Sequence, residues 1–501
     1  MDGTGSWGTI VVGGGTAGAV VAGRLAESGD RVLLLEAGPD YGPRDGGRWP
    51  ADLLDASRMP ESHQWGLNSG TTYPDRTVSF PTARVLGGCS AHNGCAAIWG
   101  SRVDYDGWAH LGNQGWSTED LLPFFEEAHR KLRVRIFDRE ELAPYESCLL
   151  EAAPGAGIPI VDDLNDLDQN LGAGANPANI VGGVRWNAAF AYLDPVRHLE
   201  NLRVVGDALV DRVLLRAGRA TGVVAVIAGR EQRIEADRVV LAAGTYASPA
   251  ILQRSGVGDP RRLERAGVAS IQPQPGGGAN QHDHPNVQLE FRGTEELQGT
   301  TDAFAKDHWA PDEQVIVKAR SRQREEAFDL HFFGYAPVTP KGNRWILNIA
   351  CMTPRSRGRL DIMDGGPKTH PLIDHRYLSD EEGHDLQVLV DGVMLARELT
   401  ADGRCRSLLG EESRPGAGVA TPAAVRDYVT RTCEHYYHPV GTCRMGTDEE
   451  AVVDPTGAVR GITGLHVADC SIMPVIPRAN TNVPAAVIGE RVATCLRSLG
   501  T

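Results

Sequence analysis

The sequence predicts an α/β fold in which a helix-flanked parallel sheet is combined with a second, α+β part built on an antiparallel sheet. Three observations lead to this prediction. A strand, a glycine-rich turn, a helix and a second strand follow one another between residues 9 and 36. Short alternating strands separated by glycine turns occupy residues 201–242, and alternating apolar strands with a long amphipathic helix occupy residues 286–429. With 501 residues, the chain is long enough for two domains.

The composition and charge narrow the classes of function. Hydrophobic residues make up 41% of the chain and charged residues 23%, as is typical of a globular protein. The formal net charge of −15 argues against nucleic acid and membrane surfaces as partners, because both require a basic protein surface. The nine cysteines show no C-x-x-C pair and no metal-ligand spacing. We therefore expect a cytoplasmic protein without a metal site, whose partner is a small molecule.

The N-terminal segment predicts a dinucleotide site. Its turn has the spacing G-x-G-x-x-G, with Gly13, Gly15 and Gly18. This spacing allows a sharp turn, the close approach of a pyrophosphate and tight packing of helix on strand. Glu36 ends the second strand, where its carboxylate can accept hydrogen bonds from the adenosine ribose. The segment is typical of a Rossmann-like domain that binds NAD or FAD. The absence of a second such fingerprint and of a redox cysteine pair argues against a disulfide-reductase flavoenzyme.

A second glycine-rich loop follows at residues 84–100, with the sequence RVLGGCSAHNGCAAIWG. It places His92 and Asn93 among residues that are otherwise small. Glycine is used where the backbone must lie close against a ligand, so the loop is expected to contact something flat and large.

Several separated segments resemble the glucose-methanol-choline (GMC) family of FAD-dependent oxidoreductases. The similarity lies in the N-terminal fingerprint and in LLLEAGPD, RVLGGCSAHNG, VVLAAGTYASPAILQRSGVG, NQHDHP, HYYHPVGTCRMG and GLHVADCSIMPVIPRANTNVPAAVIGERVA. The resemblance implies a discontinuous FAD-binding domain over residues 1–150, 201–285 and 430–501, and a substrate domain over residues 151–200 and 286–429. The segment PGGGANQHDHP departs from the family at several places but keeps Asp283 and His284, and we interpret it as a variable loop.

The resemblance also implies which residues contact FAD. Besides the fingerprint glycines and Glu36, they are Arg84, Gly88, His92, Asn93, Val210 and Asp469. The loop around His92 is most similar to that of the choline oxidases, in which the histidine is covalently bonded to the flavin 8-methyl carbon. His92 therefore has two interpretations, a covalent bond to FAD or a hydrogen bond to noncovalent FAD. A covalent bond would make the flavin a better hydride acceptor.

The catalytic residues implied by motif position are His438 and Asn482. In the family, the motif histidine and a second His or Asn ahead of the C-terminal helix face flavin N5. A neutral imidazole must accept the hydroxyl proton as hydride moves from the alcohol carbon to N5. Asn482 would then hold the alkoxide by a hydrogen bond. An isolated histidine is more often structural, and only its motif favours a catalytic role for His438.

The expected reaction is FAD-dependent oxidation of an alcohol to a carbonyl, by an oxidase that uses oxygen or a dehydrogenase that uses another acceptor. Tyr436 replaces the small residue that choline oxidases have two positions before the histidine, which leaves the acceptor open. His308, Trp309, Asp312 and Glu313 do not assemble into a recognisable cage for a cation, so the sequence does not support choline. We prefer a sugar or glycoside hydroxyl, with aromatic or furanic primary alcohols and amino alcohols as alternatives. A hydroxynitrile lyase and a noncatalytic flavin-binding protein are the other functions considered.

Overall fold

The structure is a computed structural model that describes residues 6–69, 77–311, 313–323, 326–336, 344–401 and 403–498. The α-helices, in chain order, are α1 Thr16–Glu27, α2 Ala51–Leu54, α3 Arg102–His110, α4 Thr118–Lys131, α5 Pro144–Ala152, α6 Gly244–Arg254, α7 Pro260–Arg265, α8 Glu295–Asp307, α9 His384–Thr400, α10 Gly403–Leu409, α11 Pro422–Thr432 and α12 Asn482–Ser498. The β-strands are β1 Trp7–Val12, β2 Val32–Leu35, β3 Leu67–Asn68, β4 Ser79–Phe80, β5 Gly172–Ala175, β6 Ile180–Val181, β7 Val184–Arg185, β8 Leu202–Val205, β9 Ala208–Arg216, β10 Arg219–Ile227, β11 Arg230–Leu241, β12 Val257–Gly258, β13 Gln272–Pro273, β14 Pro285–Phe291, β15 Val315–Ala319, β16 Leu330–Tyr335, β17 Trp345–Cys351, β18 Arg359–Asp361, β19 Leu372–Asp374, β20 Glu412–Arg414, β21 Glu434–His435 and β22 Leu465–Val467.

The first large sheet has the strand order β8-β2-β1-β11-β10-β9, with β22 also beside β11. The strands β8, β2, β1, β11 and β22 run parallel. The first half of β11 pairs antiparallel with β10, which continues into β9, while its second half pairs with β1. This arrangement confirms the predicted α/β class and the predicted strands between residues 201 and 242.

The turn from β1 into α1 depends on two glycines. Residues 10–12 of β1 are buried, as expected for a parallel strand covered on both faces. Gly13 has φ +94°, and a Cβ there would lie 2.6 Å from the Ala242 carbonyl oxygen. A Cβ on Gly18 would lie 1.9 Å from the Gly13 carbonyl oxygen. Because no side chain fits at either position, the N-terminus of α1 is held directly against the ends of β1 and β11.

The second large sheet is antiparallel and confirms the predicted α+β part. Its order is β20-β14-β17-β16-β15-β5, with β21 also beside β14. One face, which includes Leu330 and Ile349, packs with apolar residues of α5 and α9. On the opposite face, Ile316 and Phe333 pack with Ala479, just before α12. This second face is therefore turned toward the loop at residues 84–100, whose Ala96 and Ile98 belong to the same cluster. The predicted domain boundaries stay a prediction.

Two observations bear on the environment of the protein. All nine cysteines are free thiols. Within the part of the chain that the structure describes, no helix combines the length and apolar character needed to cross a membrane. The cytoplasmic location stays a prediction.

Candidate functional site

One long cavity lies between the carboxyl ends of the parallel strands and the inner face of the antiparallel sheet. Gly13 follows β1 and Glu36 follows β2, and both line it. Val210 of β9 lines one end of the cavity, and Phe333 of β16 and His438 line the other. Clefts outside the carboxyl ends of parallel strands are the usual ligand sites of open α/β sheets.

The end of the cavity near β1 is suited to an anion. The N-terminus of α1 opens onto it, and neither a side-chain cap at Gly15 nor an acidic residue in the first turn satisfies its free N–H groups. Such N–H groups and the positive end of the helix dipole attract phosphate. The Glu36 carboxylate accepts hydrogen bonds from the backbone N–H groups of Gly14 at 2.8 Å and Gly38 at 2.7 Å. Burial raises the pKa of Glu36. Gly18 does not line the cavity but lets α1 pack on β1, as predicted from the motif.

Asn482 ties the N-termini of two helices together at the end of the cavity near β1. It begins α12, and its Oδ1 accepts a hydrogen bond from the Thr16 hydroxyl of α1 at 2.9 Å. Its buried Nδ2 has no hydrogen-bond partner among the described residues. Because both residues line the cavity, this amide offers an unsatisfied donor to a bound molecule.

Asp469 lines the cavity next to the N-terminus of α6. Its carboxylate accepts hydrogen bonds from the Gly244 N–H at 2.9 Å, the Ser248 hydroxyl at 2.6 Å and the Ser471 N–H at 2.8 Å. Burial raises the pKa of this carboxyl group. Asp469 therefore fixes the backbone on this side of the cavity.

The predicted loop contacts separate into two groups. Gly88 and Asn93 line the cavity. Among the described lining residues, neither Arg84 nor His92 is included. The Arg84 Nε donates to the Ala37 carbonyl oxygen at 3.1 Å, and its guanidinium lies over the ring of Trp65. His92 is buried, and its Nε2 lies 2.8 Å from the Ser62 carbonyl oxygen, to which it donates.

The opposite end of the cavity contains a pair of buried imidazoles. His438 Nδ1 lies 3.0 Å from His284 Nδ1, and His438 Nε2 lies 3.4 Å from Asn480 Nδ2. Burial lowers the pKa of His438 to about 3, so its ring is neutral. An amide nitrogen can only donate, so the contact with Asn480 makes His438 Nε2 an acceptor. The single proton of the neutral ring is then on Nδ1 and is donated to His284.

Asp283 holds the backbone on which His438 is carried. Its Oδ1 accepts the His438 N–H at 2.9 Å, and its Oδ2 accepts the Tyr377 hydroxyl at 3.0 Å. The preceding residue, Tyr437, has φ +65°, which is an uncommon backbone conformation for a bulky side chain. Burial raises the pKa of Asp283 to about 7.

The structure brings Asn480, rather than the predicted Asn482, to His438. The reason is local, because the side chain of Asn482 is turned toward Thr16 where α12 begins. The sequence reasoning also missed His284 and Asp283, which it interpreted as part of a variable loop. The signal for them was the pair Asp283-His284 immediately before β14, which the altered loop had kept.

The side of the cavity opposite the parallel strands is formed by the antiparallel sheet and the His438 segment. The ring of Tyr436 stacks on Phe333, with centroids 5.0 Å apart and an interplanar angle of 12°. Glu313 also lines the cavity, and its Oε1 accepts a hydrogen bond from Asn176 Nδ2 at 3.4 Å. Of the other residues named from the sequence, His308 and Trp309 are exposed and not among the described lining residues, and Asp312 lies outside the described residues.

Comparisons with known proteins agree on one family. The GMC oxidoreductase N-terminal model matches residues 8–286 and the C-terminal model matches residues 354–489. The oxygen-dependent choline dehydrogenase of Vibrio vulnificus is 31% identical, over 97% of this chain and 93% of that protein. That of Pseudomonas savastanoi pv. phaseolicola is 33% identical over the same shares.

The solved structures show the same fold at lower identity. Pyridoxine 4-oxidase from Mesorbium loti superposes with a TM-score of 0.89 and 24% identity, over 98% of this chain and 99% of that chain. Formate oxidase from Aspergillus oryzae superposes with a TM-score of 0.86 and 21% identity, over 100% of this chain and 99% of that chain.

Proposed function

The chain belongs to the GMC oxidoreductase family and is an FAD-dependent oxidoreductase, and from this premise we propose that it oxidises the CH–OH group of a small alcohol to a carbonyl. The observation that carries the proposal is the neutral imidazole of His438, which lines the cavity and whose Nε2 is an acceptor. Removing a hydroxyl proton requires such an acceptor next to the substrate oxygen.

The cavity fits FAD at three points. The uncapped N-terminus of α1 suits the diphosphate, and the Glu36 carboxylate suits the hydroxyls of the ribose. The unpartnered Nδ2 of Asn482 would donate a hydrogen bond to bound FAD. When bound, FAD supplies the acceptor for the hydride that leaves the alcohol carbon.

His438 and Asn480 define where the substrate oxygen would sit. Their 3.4 Å contact joins a donor, Asn480 Nδ2, to an acceptor, His438 Nε2. A substrate hydroxyl that takes the place of this contact can donate its proton to Nε2 and accept a hydrogen bond from the amide. The amide then stabilises the negative charge that develops on oxygen as the proton leaves.

His284 positions His438 for this proton transfer. As Nε2 takes up the proton, the ring of His438 becomes positively charged, and its Nδ1–H still donates to His284 Nδ1. The imidazole pair therefore both fixes the reactive tautomer and stabilises the charged ring. Because His284 is buried, it excludes water from Nδ1 of His438.

Two substrate classes follow from different observations. The two relatives reported above are choline dehydrogenases, and this favours a choline-like primary alcohol as substrate. The sugar or glycoside hydroxyl preferred from the sequence stays a prediction. The name of these relatives also favours oxygen as the electron acceptor.

An anaerobic screen of alcohol classes tests the proposed function. Mixing the purified holoprotein with its alcohol substrate should bleach the oxidised-flavin absorbance, and under air the same alcohol should produce hydrogen peroxide. Dye reduction without peroxide would identify a dehydrogenase. Cleavage of a cyanohydrin without any bleaching by alcohols would overturn the proposal in favour of the lyase.

The bond between His92 and FAD needs a separate measurement. A covalent bond through Nε2 requires that the contact with the Ser62 carbonyl be given up. Mass spectrometry of the denatured chain distinguishes the two interpretations, because only a covalent adduct keeps the added mass of the flavin.

A further inference from the structure

Tyr377 is connected to His438 through a single carboxylate. It lies between β19 and α9, and its hydroxyl donates to Asp283 Oδ2 at 3.0 Å. The other oxygen of the same carboxylate, Oδ1, accepts the backbone N–H of His438 at 2.9 Å. Asp283 lines the cavity, whereas Tyr377 is not among the described lining residues. Asp283 therefore joins the proposed proton acceptor to a tyrosine that stands behind the cavity wall.

The ring of Tyr377 is itself held by residues of the cavity wall. It stacks on His375, with centroids 4.9 Å apart and an interplanar angle of 13°. His375 is buried, its ring centroid lies 4.3 Å from that of Phe80, and its Nε2 lies 3.0 Å from the Tyr246 hydroxyl oxygen. Phe80 of β4 and Tyr246 of α6 both line the cavity. The position of the Tyr377 hydroxyl is therefore set by two further elements of the fold.

The backbone that carries His438 needs such support. Tyr437 has φ +65°, a conformation that costs free energy in a bulky residue and persists only where the surroundings enforce it. The N–H of the next residue, His438, donates to Asp283. An ionised carboxylate is the stronger acceptor for this N–H. Its negative charge also favours the positive charge that the His438 ring acquires when it takes up the hydroxyl proton.

Burial and hydrogen bonding act in opposite directions on the charge of Asp283. Burial raises the pKa of this carboxyl group to about 7, while its hydrogen bonds, including the one from Tyr377, act to lower it. The titratable groups around Asp283 and Tyr377 are the buried His284, His375, His435 and His438 and the exposed Tyr437 and Glu434. Burial lowers the pKa of all four imidazoles. Among the buried groups of this set, Asp283 is therefore the one whose charge changes near pH 7.

We infer that Tyr377 is a positioning residue for the proposed oxidation: its hydroxyl holds the Asp283 carboxylate in the charged form on the backbone of His438, and this charge supports proton uptake by the ring. The inference rests on the proposed function and adds to it a residue that does not line the cavity. It implies that flavin reduction is fast only above the pH at which Asp283 loses its proton.

Tyr377→Phe tests the inference, because it removes the hydroxyl and keeps the ring. The charged form of Asp283 then loses a donor, so its pKa should rise by about one pH unit. Anaerobic flavin reduction is measured against pH at saturating choline or, if choline is inactive, with the fastest alcohol of the screen. The rate should rise with a midpoint near pH 7 in the unmodified protein and about one pH unit higher in the variant. The variant should be about fivefold slower at pH 7 and nearly equal at about pH 9, where Asp283 is ionised in both proteins.

Tyr428→Phe is the matched control. Tyr428 is buried, and its hydroxyl donates to the Gln288 carbonyl oxygen at 2.5 Å, so this variant loses a hydrogen bond that does not involve Asp283. Its midpoint should stay where it is in the unmodified protein. The free energy of unfolding gives a second readout that needs no turnover. The stability contributed by the Asp283 proton is lost as the pH rises through its folded pKa, so in Tyr377→Phe this loss should extend about one pH unit higher.

The outcomes separate the two proposals. The same midpoint in Tyr377→Phe and Tyr428→Phe would overturn the inference. A loss of rate in Tyr377→Phe that was equal at every pH would also overturn it, because a merely structural role weakens the site regardless of the charge on Asp283. Both results would leave alcohol oxidation standing. If no alcohol reduced the flavin at any pH, the proposed function would fail, and the unfolding measurement would still test the link between Tyr377 and Asp283. A rate in the unmodified protein that did not change around pH 7 would reject the role of the Asp283 charge.

Discussion

The two ends of the cavity differ in the groups they present. The end at the N-terminus of α1, the nucleotide end, presents mainly backbone groups, whereas the end that contains His438, the proposed catalytic end, presents buried side chains. At the first end, the free N–H groups of α1 face the cavity and Glu36 is itself held by backbone N–H groups. At the second end, His284, His438 and Asn480 meet through side-chain atoms. Backbone groups are held by the whole fold, while a contact between side chains is lost with a single substitution. Substitutions at the two ends should therefore have different consequences.

His438→Ala should have the largest effect on the rate and little effect on FAD binding. Without the imidazole, no neutral acceptor for the hydroxyl proton remains at this position, and we expect anaerobic flavin reduction to slow by about 10²- to 10⁴-fold. The flavin content of the purified variant checks the other half of the comparison. His198→Ala, at an exposed position, is the control. Unchanged flavin reduction in His438→Ala would remove this residue from the mechanism.

Asp283 should make the catalytic end sensitive to pH. Its pKa is about 7 in the folded protein, against 3.8 for an ordinary aspartate, so between these values the folded state keeps a proton that the unfolded state has lost. The stability that this proton contributes is complete below pH 4 and is lost as the pH rises to 7. The free energy of unfolding, relative to Asp283→Asn, should fall across this window by up to about 4 kcal/mol.

Chemical denaturation at several pH values measures this difference, and Asp364→Asn provides a control at an exposed aspartate. A difference that stayed constant from pH 4 to pH 7 would contradict the buried, protonated state of Asp283. The pH dependence of flavin reduction adds a second readout, since Asp283 also holds the backbone N–H of His438.

Asn480→Ala and Asn482→Ala should separate the two ends of the cavity. Asn480→Ala removes the donor next to His438 Nε2, and we expect flavin reduction to slow by about 10- to 100-fold while FAD stays bound. Asn482→Ala removes the amide that joins α12 to Thr16, and we expect weaker FAD binding as its main effect. Stopped-flow reduction and FAD titration measure the two effects. If Asn482→Ala slowed reduction more than Asn480→Ala, the sequence-based pairing of His438 with Asn482 would be favoured.

The same contrast between the two ends explains which parts of the fold and of the site could be predicted from the sequence. The turn with Gly13, Gly18 and Glu36 is local in sequence, so the spacing of its residues already fixes their geometry. The catalytic end joins residues 154 positions apart, His284 and His438, through the pairing of β14 with β21. No local sequence pattern predicts a contact between residues so far apart in the chain. The contact of His438 with Asn480 rather than with Asn482 could not be predicted from the sequence either, because it depends on where α12 begins.

Thr16→Val should have the smallest effect, and it tests whether the two ends are coupled. The Thr16 hydroxyl donates to Asn482 across 466 positions of sequence, and valine keeps the shape of the side chain without the donor. Loss of one such hydrogen bond costs about 1 kcal/mol, which corresponds to about fivefold weaker FAD binding. Thr430→Val, at an exposed position on α11, is the control. Flavin reduction should change less than in Asn480→Ala, because the hydroxyl orients a residue at the nucleotide end and does not touch His438. If FAD bound as tightly as in the control, the contact would be structural only, and the orientation of Asn482 would be set by the start of α12 alone.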